Sequence, residues 1–529
     1  MKPPNRAVLD ATCQHRMSSV AAHTNRKRPI LPGVSRRISP IHRWLGIALG
    51  LLFALWFASG TILSFVPFPS LPVRDRISGS EPINLEKVRI SPAAALAAAG
   101  TAPLMQLRLI NVGGHPRYVF SPVGGPVLSV SAESGQALAP VSADVAGAVA
   151  EQFSDEKISR IDGPFEYDQW TVHEQYGPYR PFYKVTMADV EGTCLYVSLR
   201  SGEVIQRTRR AERAWNWVGA VVHWINPTVL RKHQVVWRWT VWSIALFGIL
   251  LTIAGVWLGV VRYLDLKRLR RPGISPFKGW LRWHHSIGLF AGAFVLTWIS
   301  SGWLFLDRGT LFSRDQPTVA ELERLRGVSL ADAARNFPVL QLGKLQNLRE
   351  IEITAVGGHP FLVVRDTGPL FSRLISADDA GTLEISLIIP DKLLLSAVQS
   401  AWSPVGVLGI QAIAQNDAYR VRSNPLPDTA RRIVLNDRTR TWIQLDAASG
   451  QILSVADTRR RLYRWLVDGL HCLDFPLFNH TGPLRHVLIL LATTTGFLFS
   501  CTGVVIGVKR LRKSLSCGTS PQTAASKVG

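Results

Sequence analysis

The chain has 529 residues, of which 47% are hydrophobic and only 18% are charged, and its formal net charge is +23. Soluble globular domains carry about 25% charged residues, so this composition indicates a chain that has lipid as part of its solvent. The five cysteines form no C-x-x-C and no C-x-x-C-H motif. This excludes thiol redox pairs, zinc ribbons and covalent c-type haem attachment.

The chain begins with a basic, proline-containing arm, residues 1–41, which we predict to be disordered. A cleavable signal peptide needs a short apolar core followed by a small-residue cleavage site. The first apolar segment here is too long and has no such site after it. We therefore expect this segment to remain as a membrane anchor.

Four uncharged segments are each 21 to 23 residues long, namely 44–66, 239–261, 286–306 and 487–508. A helix of that length rises about 30 Å, which is the thickness of the hydrocarbon core of a bilayer. A fifth uncharged segment, 393–415, is interrupted by polar residues, glycines and a proline. We interpret that segment as part of a folded domain.

The basic residues predict the orientation of these helices. Residues 1–43 hold nine Lys and Arg against one acid, residues 262–282 hold seven against one, and residues 509–529 hold five against none. These segments carry 19 of the 23 net positive charges, and basic segments of this kind remain cytoplasmic. The excess is thus explained by topology, without nucleic acid. We expect a multi-pass protein of a bacterial inner membrane, with both termini cytoplasmic and two large periplasmic loops.

The predicted organisation has four transmembrane helices, two periplasmic modules, a basic cytoplasmic loop and a cytoplasmic tail. The transmembrane helices are 42–66, 236–262, 284–306 and 486–508; the modules are 67–235 and 307–485, with interfacial segments 215–235 and 463–485; the loop is 263–283 and the tail is 509–529.

The two halves of the sequence resemble each other. A shift of 242 residues aligns His42 and Gly60 with His284 and Gly302, and a shift of 248 aligns the segment around residue 223 with that around residue 471. Between them, the pentapeptide VGGHP occurs at 112–116 and again at 356–360. We predict a tandem duplication of a helix, an outside domain and a second helix. Because each unit has two spans, a pseudo-twofold axis along the membrane normal relates the copies.

Each outside segment has the pattern of a small α+β module. Short helices are predicted at 91–99 and 329–335, and alternating strand patterns at 107–112, 117–120 and 183–199 in the first copy and 350–356, 361–365 and 432–445 in the second. The predicted fold class is a membrane all-α four-helix bundle with two periplasmic α+β modules. Glycines at spacings of four and seven in the spans provide close helix contacts.

Three motifs carry a family resemblance: the opening IHRWLG with a Ser-Gly that ends eighteen residues after its His, the SGEVI turn, and a histidine element before the last helix of each unit. Together they resemble the PepSY-associated transmembrane family over about residues 40 to 513. Within it, the chain is similar to iron-regulated inner-membrane ferrisiderophore reductases. The resemblance implies PepSY-like periplasmic modules and a ferric siderophore as substrate.

Four histidines form two symmetric pairs, His42 with His284 and His223 with His471. A histidine within the membrane usually has a partner or a ligand. Two neutral imidazoles from facing helices can clamp the iron of a b-type haem. We predict these four residues as axial iron ligands of two haems, the first pair at the cytoplasmic end and the second near the outer end. At 1.5 Å per residue, about 27 Å of helix separates the two levels, which would allow an electron path across the bilayer.

The alternative for each histidine is a solvated or hydrogen-bonded interfacial residue. Repetition of both pairs by the duplication favours the ligand interpretation. His285 and His486 are the substitutes if an assignment is wrong; His233 and His480 also lack symmetric partners. The symmetric residues at 115 and 359 lie in Gly-Gly-His-Pro turns, for which a structural role is expected. A Trp-rich stretch at 215–242 is interpreted mainly as an interfacial belt.

No nucleotide, flavin or HExxH zinc motif is present in the sequence. An electron donor would therefore be separate, either a quinol or a flavoprotein, and no catalytic residue can be assigned. The predicted function is a haem-b-containing inner-membrane ferric reductase that serves siderophore-dependent iron uptake. Two alternatives remain open: a non-enzymatic PepSY-type regulator of a peptidase, and a transporter of iron or siderophore without redox chemistry.

Overall fold

The computed structural model describes residues 32–100, 103–307, 311–335, 345, 347–368, 370–377, 383–479 and 483–518. They form two compact units. The first unit contains the described residues up to Leu51, together with Leu250–Ala293 and the residues from Phe499 onward. The second unit contains Leu52–Ile249 and Phe294–Leu498.

Four of the α-helices have 27 to 35 residues and are much longer than the rest. The α-helices are α1 (Pro32–Phe65), α2 (Val73–Gly79), α3 (Pro92–Ala99), α4 (Ala143–Ser154), α5 (Arg210–Asn216), α6 (Thr228–Arg231), α7 (Gln234–Arg268), α8 (Gly279–Phe305), α9 (Val319–Arg326), α10 (Leu330–Arg335), α11 (Asp391–Ala401), α12 (Thr458–Tyr463), α13 (Leu470–Cys472), α14 (Pro476–Asn479) and α15 (Leu484–Gly518). Short 3₁₀ helices cover Leu85–Lys87 and Glu174–Tyr179, and π-helices cover Trp217–Val221 and Arg464–Gly469.

The strands form one seven-stranded and two four-stranded antiparallel sheets. They are β1 (Leu104–Val112), β2 (His115–Pro122), β3 (Leu128–Ser131), β4 (Ile158–Phe165), β5 (Phe182–Met187), β6 (Cys194–Ser198), β7 (Val204–Thr208), β8 (Glu350–Val356), β9 (His359–Arg365), β10 (Ser372–Ala377), β11 (Leu383–Ser386), β12 (Val407–Ala412), β13 (Ala430–Leu435), β14 (Trp442–Asp446) and β15 (Ile452–Ala456). The large sheet has the order β11-β10-β9-β8-β1-β2-β3, and the small sheets run β4 to β7 and β12 to β15.

Among the described residues, four helices are long and apolar enough to cross a membrane. Each has an 18-residue window whose mean hydropathy is between 1.6 and 2.5. All four begin before the predicted apolar segments and cover them, except for the last residue of the first and third segments, at 66 and 306. The first helix begins at Pro32, so the prediction of a disordered arm up to residue 41 is wrong for its last ten residues. A helix does not have to end where the hydrocarbon ends, and proline is well tolerated in a first turn. Residues 1–31 lie outside the described residues.

In the first unit, glycines allow close contacts between the long helices. A Cβ atom added to Gly292 of α8 would lie 2.9 Å from a methyl group of Val256 on α7. A Cβ added to Gly288 would lie 3.0 Å from the ring of Phe499 on α15. Helix α8 therefore approaches both neighbours through residues that have no side chain, as membrane helices commonly do.

The second unit contains both α+β modules, and they share the seven-stranded sheet. Strand β1 of the first module pairs antiparallel with β8 of the second, with Arg108 opposite Glu352. The two predicted modules are therefore joined through their edge strands, a contact that the sequence did not predict. An exposed strand edge is a template for pairing, and here each module covers the edge of the other.

Alternate residues of the shared sheet face different cores. Leu107 and Leu109 of β1 pack in one cluster with Ile351 and Ile353 of β8, under helices α3 and α10. Residues of opposite parity, such as Ile110, pack against α4 and the β4–β7 sheet. The first of these clusters is continuous across the junction, so the two modules share a hydrophobic core.

A buried ion network lies at the same junction. The Arg108 guanidinium donates to Glu203 at 2.6 Å and to Glu350 at 2.8 Å, and all three side chains are almost fully buried. Burial alone would raise the pKa of the Glu350 carboxyl, but Arg76, Arg108 and Arg365 outweigh it and hold that pKa well below its usual range. Removing one partner would leave an uncompensated buried charge, so the network favours a single register between the modules.

Two predicted strand patterns differ in detail from the structure. The pattern at 183–199 is two strands, β5 and β6, because Asp189 and Gly192 form a turn between them. Likewise 432–445 is divided between β13 and β14 by a turn at Asp437. The segment 393–415 consists of α11, whose Leu394 and Ala397 are buried in a module core, and strand β12. It is part of a folded domain, as its polar interruptions indicated.

Candidate functional site

The structure brings His42 and His284, the first pair, next to each other in the first unit. His42 lies ten residues inside α1, and His284 lies five residues after α8 begins. Their ring centroids are 6.3 Å apart. Each histidine is therefore preceded by helical residues that lie before the predicted span.

The Nδ1 atom of each first-pair ring is held by a neighbouring helix. His42 Nδ1 lies 3.1 Å from the carbonyl oxygen of Leu251 on α7, and a carbonyl can only accept. His284 Nδ1 lies 2.9 Å from the hydroxyl of Thr502 on α15, which itself donates to Phe499 O at 2.6 Å. Both histidines must then donate from Nδ1. In the neutral tautomer this leaves the Nε2 lone pair of each ring for another partner.

The second pair, His223 and His471, is assembled in the second unit by shorter elements. The π-helix Trp217–Val221 ends just before His223, and the π-helix Arg464–Gly469 ends just before His471. The ring centroids are 6.1 Å apart. A π-helical turn is rare and is found preferentially at functional sites, so its repetition before both histidines indicates that their positions matter.

The second-pair rings are held in the same way as each other. His223 Nδ1 lies 3.2 Å from both Trp56 O and the Ser59 hydroxyl of α1. His471 Nδ1 lies 3.2 Å from both the main-chain oxygen of residue 298 and the Ser301 hydroxyl of α8. Donation to a carbonyl again assigns the proton to Nδ1. In the neutral form of all four predicted histidines, Nδ1 therefore carries the proton and Nε2 carries the lone pair that could bind a metal.

Each of the four rings packs with its Cε1 atom against a glycine. An added Cβ would lie 2.6 Å from this atom of His42 at Gly255, 3.0 Å from that of His223 at Gly60, 3.1 Å from that of His471 at Gly302, and 3.4 Å from that of His284 at Gly503. The shortest of these distances is one that real Cβ atoms essentially never show. The glycines thus provide flat helix surfaces on which the rings can lie.

The spacing of both pairs fits two imidazoles that bind one metal ion from opposite sides. A metal–imidazole bond is about 2.0–2.1 Å long, and with a ring centre about 1.1 Å behind its nitrogen, two such rings have centroids about 6.3 Å apart. The observed values are 6.3 and 6.1 Å. A ligating histidine also characteristically donates its other ring N–H to a carbonyl or a similar acceptor, as all four do here.

Two protein ligands suit a particular kind of metal centre. Within the described ranges, no group of three or more His, Cys, Asp or Glu side chains could hold a metal ion. A bare zinc or iron ion normally takes three or four protein ligands. A haem supplies four nitrogens from its own macrocycle and requires only axial ligands from the protein. The donor set at both pairs therefore fits haem better than a free ion.

The family comparison agrees with the motifs. The family model described as the PepSY-associated TM region matches residues 39–355. The chain belongs to this family. The resemblance predicted from the sequence is thereby confirmed, and with the four long apolar helices it establishes a multi-pass membrane protein. A comparison with curated proteins finds no match.

The family match bears differently on the four histidines. His42, His223 and His284 lie within the matched residues of the PepSY-associated TM region, whereas His471 lies beyond them. Its assignment as a ligand depends on the repeat and on its position opposite His223. The ligand roles of all four remain predictions.

The substitute histidines have other surroundings. His285 Nε2 donates to Gly259 O at 3.0 Å, and its buried Nδ1 has no hydrogen-bond partner within the described ranges. The His486 ring is tilted by 32° against the ring of Phe65, with centroids 5.4 Å apart. His480 lies outside the described residues. Among the described residues, neither of these two histidines has the shared arrangement of an Nδ1 acceptor, a glycine surface and a second imidazole about 6 Å away.

The histidines of the two Gly-Gly-His-Pro turns lie in exposed hairpin turns of the shared sheet. His115 Nδ1 is 3.1 Å from a Glu133 carboxylate oxygen, and two-thirds of the His115 side chain is exposed. His359 is likewise exposed. These positions agree with the structural role expected from the turn motif.

Sequence reasoning missed the groups that orient the rings. Ser59 and Ser301 precede the aligned glycines, so a repeated Ser-Gly pair was available as a signal. The carbonyl acceptors carry no signal, because any residue supplies one.

Sequence reasoning also missed an asymmetry next to the second pair. Asp468 lies three residues before His471, and the 248-residue shift places Ala220 at the equivalent position. Burial, aided by Asp474 and opposed by Arg464, raises the pKa of Asp468 to about 6. The surroundings of the two second-pair histidines therefore differ although their hydrogen bonds do not.

Proposed function

We propose that this protein of the PepSY-associated family is a haem-b-containing ferric chelate reductase of a bacterial inner membrane. In this proposal His42 and His284 hold one haem, and His223 and His471 hold a second. The observation that carries it is the arrangement common to both pairs: two imidazoles with ring centroids about 6 Å apart, each hydrogen-bonded through Nδ1, which leaves the Nε2 lone pair for a ligand.

A bis-histidine b-type haem supplies one-electron transfer without a change in its ligands. The work of the chain is to keep the rings in place. The Nδ1 hydrogen bonds fix the tautomer and orientation of each imidazole and increase its basicity. Phe499 stacks on His284 with ring centroids 4.6 Å apart and an interplanar angle of 13°, which holds that ring from a second direction.

The proposal includes a bundle of the four long helices and the tandem duplication. Two features support the duplication beyond the sequence repeat. In the β1–β8 pairing, Leu107 faces Ile353 and Leu109 faces Ile351, and the 244-residue shift exchanges these two pairs. The π-helix before each second-pair histidine occurs in both halves. Both features are expected if a twofold axis relates the copies.

The orientation in the membrane is part of the proposal. Exposed Lys and Arg side chains are concentrated in the first unit, at Arg36, Arg37 and Arg43 and in the segments 262–282 and 509–513. Such segments remain cytoplasmic, which would put both termini inside and the modules in the periplasm. Reporter fusions near residues 150, 270 and 400 should give outside, inside and outside signals. An inside signal near 400 would contradict this topology.

The substrate we propose is a periplasmic ferric siderophore or a similar ferric chelate. Reduction weakens binding by hard oxygen donors, because Fe(II) has lower charge than Fe(III), and iron release would follow. The electron donor would be a quinol or a separate flavoprotein. The family resemblance supports this substrate, and the shared module sheet offers a folded surface on which a chelate could bind.

An absorption spectrum of the purified protein is the decisive experiment. We expect Soret and α bands that sharpen on reduction with dithionite, and a pyridine haemochromogen of the b type at two haems per chain. Oxidation of the reduced protein by a ferric chelate should then restore the original spectrum. A protein purified from haem-sufficient cells with no bound haem would contradict the reductase and favour a peptidase regulator or a non-redox transporter.

A further inference from the structure

An open cavity of about 860 Å³ lies where the two modules join. Its volume is within the range of about 300–1,000 Å³ that small-ligand sites occupy. The first module contributes Gln106 of β1 and Arg200, and the second contributes Arg326 of α9, Glu352 of β8 and the turn around Gly450. The cavity exists only because β1 and β8 pair, so neither module could form it alone.

The polar side chains that line this cavity differ in how many of their hydrogen-bonding atoms already have partners within the protein. Glu352 accepts from Gln106 at 2.9 Å and from Arg365 at 2.8 Å, so its charge is compensated. Arg326 donates to the carbonyls of Leu104 and Met105 at 2.7 and 2.6 Å. Arg200 uses only its Nε, which donates to Arg180 O at 2.5 Å. Within the described ranges, the two terminal nitrogens of Arg200 have no hydrogen-bond partner.

The available groups select a class of ligand. One uncommitted guanidinium, a compensated carboxylate and neutral side chains such as Thr354 and Gln451 favour an oxygen-rich ligand of neutral or negative charge. Eight of the 23 lining residues are Gly or Pro, including Gly124, Gly125 and Pro178, so part of the wall has no long side chain to occupy the cavity. An extended peptide would instead add to a sheet edge. The cavity is bounded by turns on several sides and suits a compact ligand.

One short element connects this cavity with the second histidine pair. The 3₁₀ helix Glu174–Tyr179 lines the cavity with its last three residues. Its N-cap residue His173 stacks on Phe68 at 4.7 Å and lies 6.0 Å from the ring of Trp224. Trp224 directly follows His223 in the chain. Six residues of 3₁₀ helix rise about 12 Å, so one short rigid element joins the cavity wall to the ring that contacts Trp224.

We propose that this cavity at the module junction binds the trivalent-metal chelate, with Arg200 as the residue that recognises its oxygen atoms. The inference rests on the proposed reductase function for the identity of the ligand, but binding itself requires no electron transfer. It predicts that a chelate of a metal that cannot be reduced binds as well as the iron complex.

The test is calorimetric titration of the full-length protein in nanodiscs with redox-inert Ga(III) chelates. Three are used: a trihydroxamate, a tris-catecholate and an α-hydroxycarboxylate complex. At least one should bind the wild type. Arg200→Glu, which reverses the charge, and Gly125→Trp, which adds an indole to the cavity wall, should each weaken that binding at least tenfold. A Cβ at Gly125 meets only Pro122, at 3.4 Å, so the first atom of the new side chain has room.

Matched controls have the same chemical changes outside the cavity. Lys157→Glu reverses a charge on a side chain that is 87% exposed, and Val190→Trp adds an indole at a residue that is 96% exposed. Both should bind the gallium chelate within twofold of wild type. All five proteins should keep the wild-type α-helical circular dichroism, which separates loss of binding from loss of fold.

The outcomes separate this proposal from the reductase proposal. Wild-type affinity in both cavity variants, or no binding of any of the three chelates by the wild type, would overturn the cavity site whatever the haem spectrum. Cavity-dependent gallium binding by a protein without haem would support the cavity site and contradict the reductase. Haem-dependent chelate reduction that is unaffected in both cavity variants would leave the reductase and reject the cavity.

Discussion

The first and second histidine pairs have nearly equal ring separations, 6.3 and 6.1 Å, but different elements present them. His42 and His284 lie inside the long helices α1 and α8, and their rings pack against glycines of α7 and α15. His223 and His471 follow π-helices outside the long helices and lean on glycines of α1 and α8. Within each half, the helix that carries a first-pair histidine thus also supplies the glycine for a second-pair histidine.

This difference determines which substitutions should displace the rings of each pair. The first pair depends on packing between long helices, so one enlarged residue at a contact should displace a ring. The second pair depends on short segments held at carbonyls, and each ring also has a serine hydroxyl within 3.2 Å. It should therefore tolerate loss of one hydrogen bond better than the first pair does.

The largest expected effect comes from removing a ligand. His42→Ala or His284→Ala should abolish one haem and largely spare the other, and His223→Ala or His471→Ala should do the reverse. The haem-to-protein ratio should fall from two to one in each variant. His115→Ala is the matched control, because this exposed turn histidine also has a symmetric partner.

A wild-type haem ratio in all four variants would show that the ligands are elsewhere. His285 and His486 would then be the next residues to change. Loss of both haems in a properly folded single variant would instead mean that haem binding at one pair depends on the other pair. That result would contradict the view that the two pairs are held by independent elements.

The same variants should distinguish the pairs in electron flow. His42→Ala should block reduction of a periplasmic ferric chelate by a cytoplasmic donor, because the haem nearer that donor is gone. The remaining haem should still be reduced by added dithionite. Stopped-flow measurement at the Soret band, with the chelate present, checks both statements. Unchanged chelate reduction from the cytoplasmic side would make the first pair structural.

Glycine substitutions should have graded effects on the first pair. An added methyl at Gly255 would be 2.6 Å from the His42 ring, whereas at Gly503 it would be 3.4 Å from the His284 ring, an ordinary contact. Gly255→Ala should therefore lose most of one haem, and Gly503→Ala should retain nearly all of it. Haem content by pyridine haemochromogen assay checks this. Equal losses in the two variants would mean that the ring contacts are not limiting.

The sequence predicted the spans and the histidine partners because both depend on local patterns. Apolar length indicates a membrane helix, and repeated spacing shows which His matches which. The pairing of β1 with β8 joins residues about 244 positions apart, and no pattern in either strand specifies that neighbour. The acceptors at Leu251 and Trp56 were also unpredictable, because a carbonyl is common to every residue. The start of α1 at Pro32 was missed because only the apolar part of the helix was counted.

Hydroxyl substitutions should separate the pairs more finely. Thr502→Val removes the group 2.9 Å from His284 Nδ1, so we expect haem to be lost faster from the first site, by about tenfold. Ser59→Ala leaves the Trp56 carbonyl in place at 3.2 Å, so we expect less than about a threefold change. Haem transfer to apomyoglobin measures both rates. A larger effect of Ser59→Ala than of Thr502→Val would reverse the proposed order.

The smallest effect concerns the asymmetry within the second pair, where Asp468 stands in one half and Ala220 in the other. Burial raises the folded-state pKa of Asp468 to about 6, above its ordinary value of 3.8. Below pH 3.8 the carboxyl is protonated in both states, and above about pH 6 it is ionised in both, so ionisation lowers the stability progressively between these values. Asp468→Asn should therefore raise the thermal midpoint at pH 7.5 by more than it does at pH 4.5. Asp155→Asn, at an exposed helix end, provides the control. A gain for Asp468→Asn that is independent of pH would show that the ionised carboxylate is not what distinguishes the two halves.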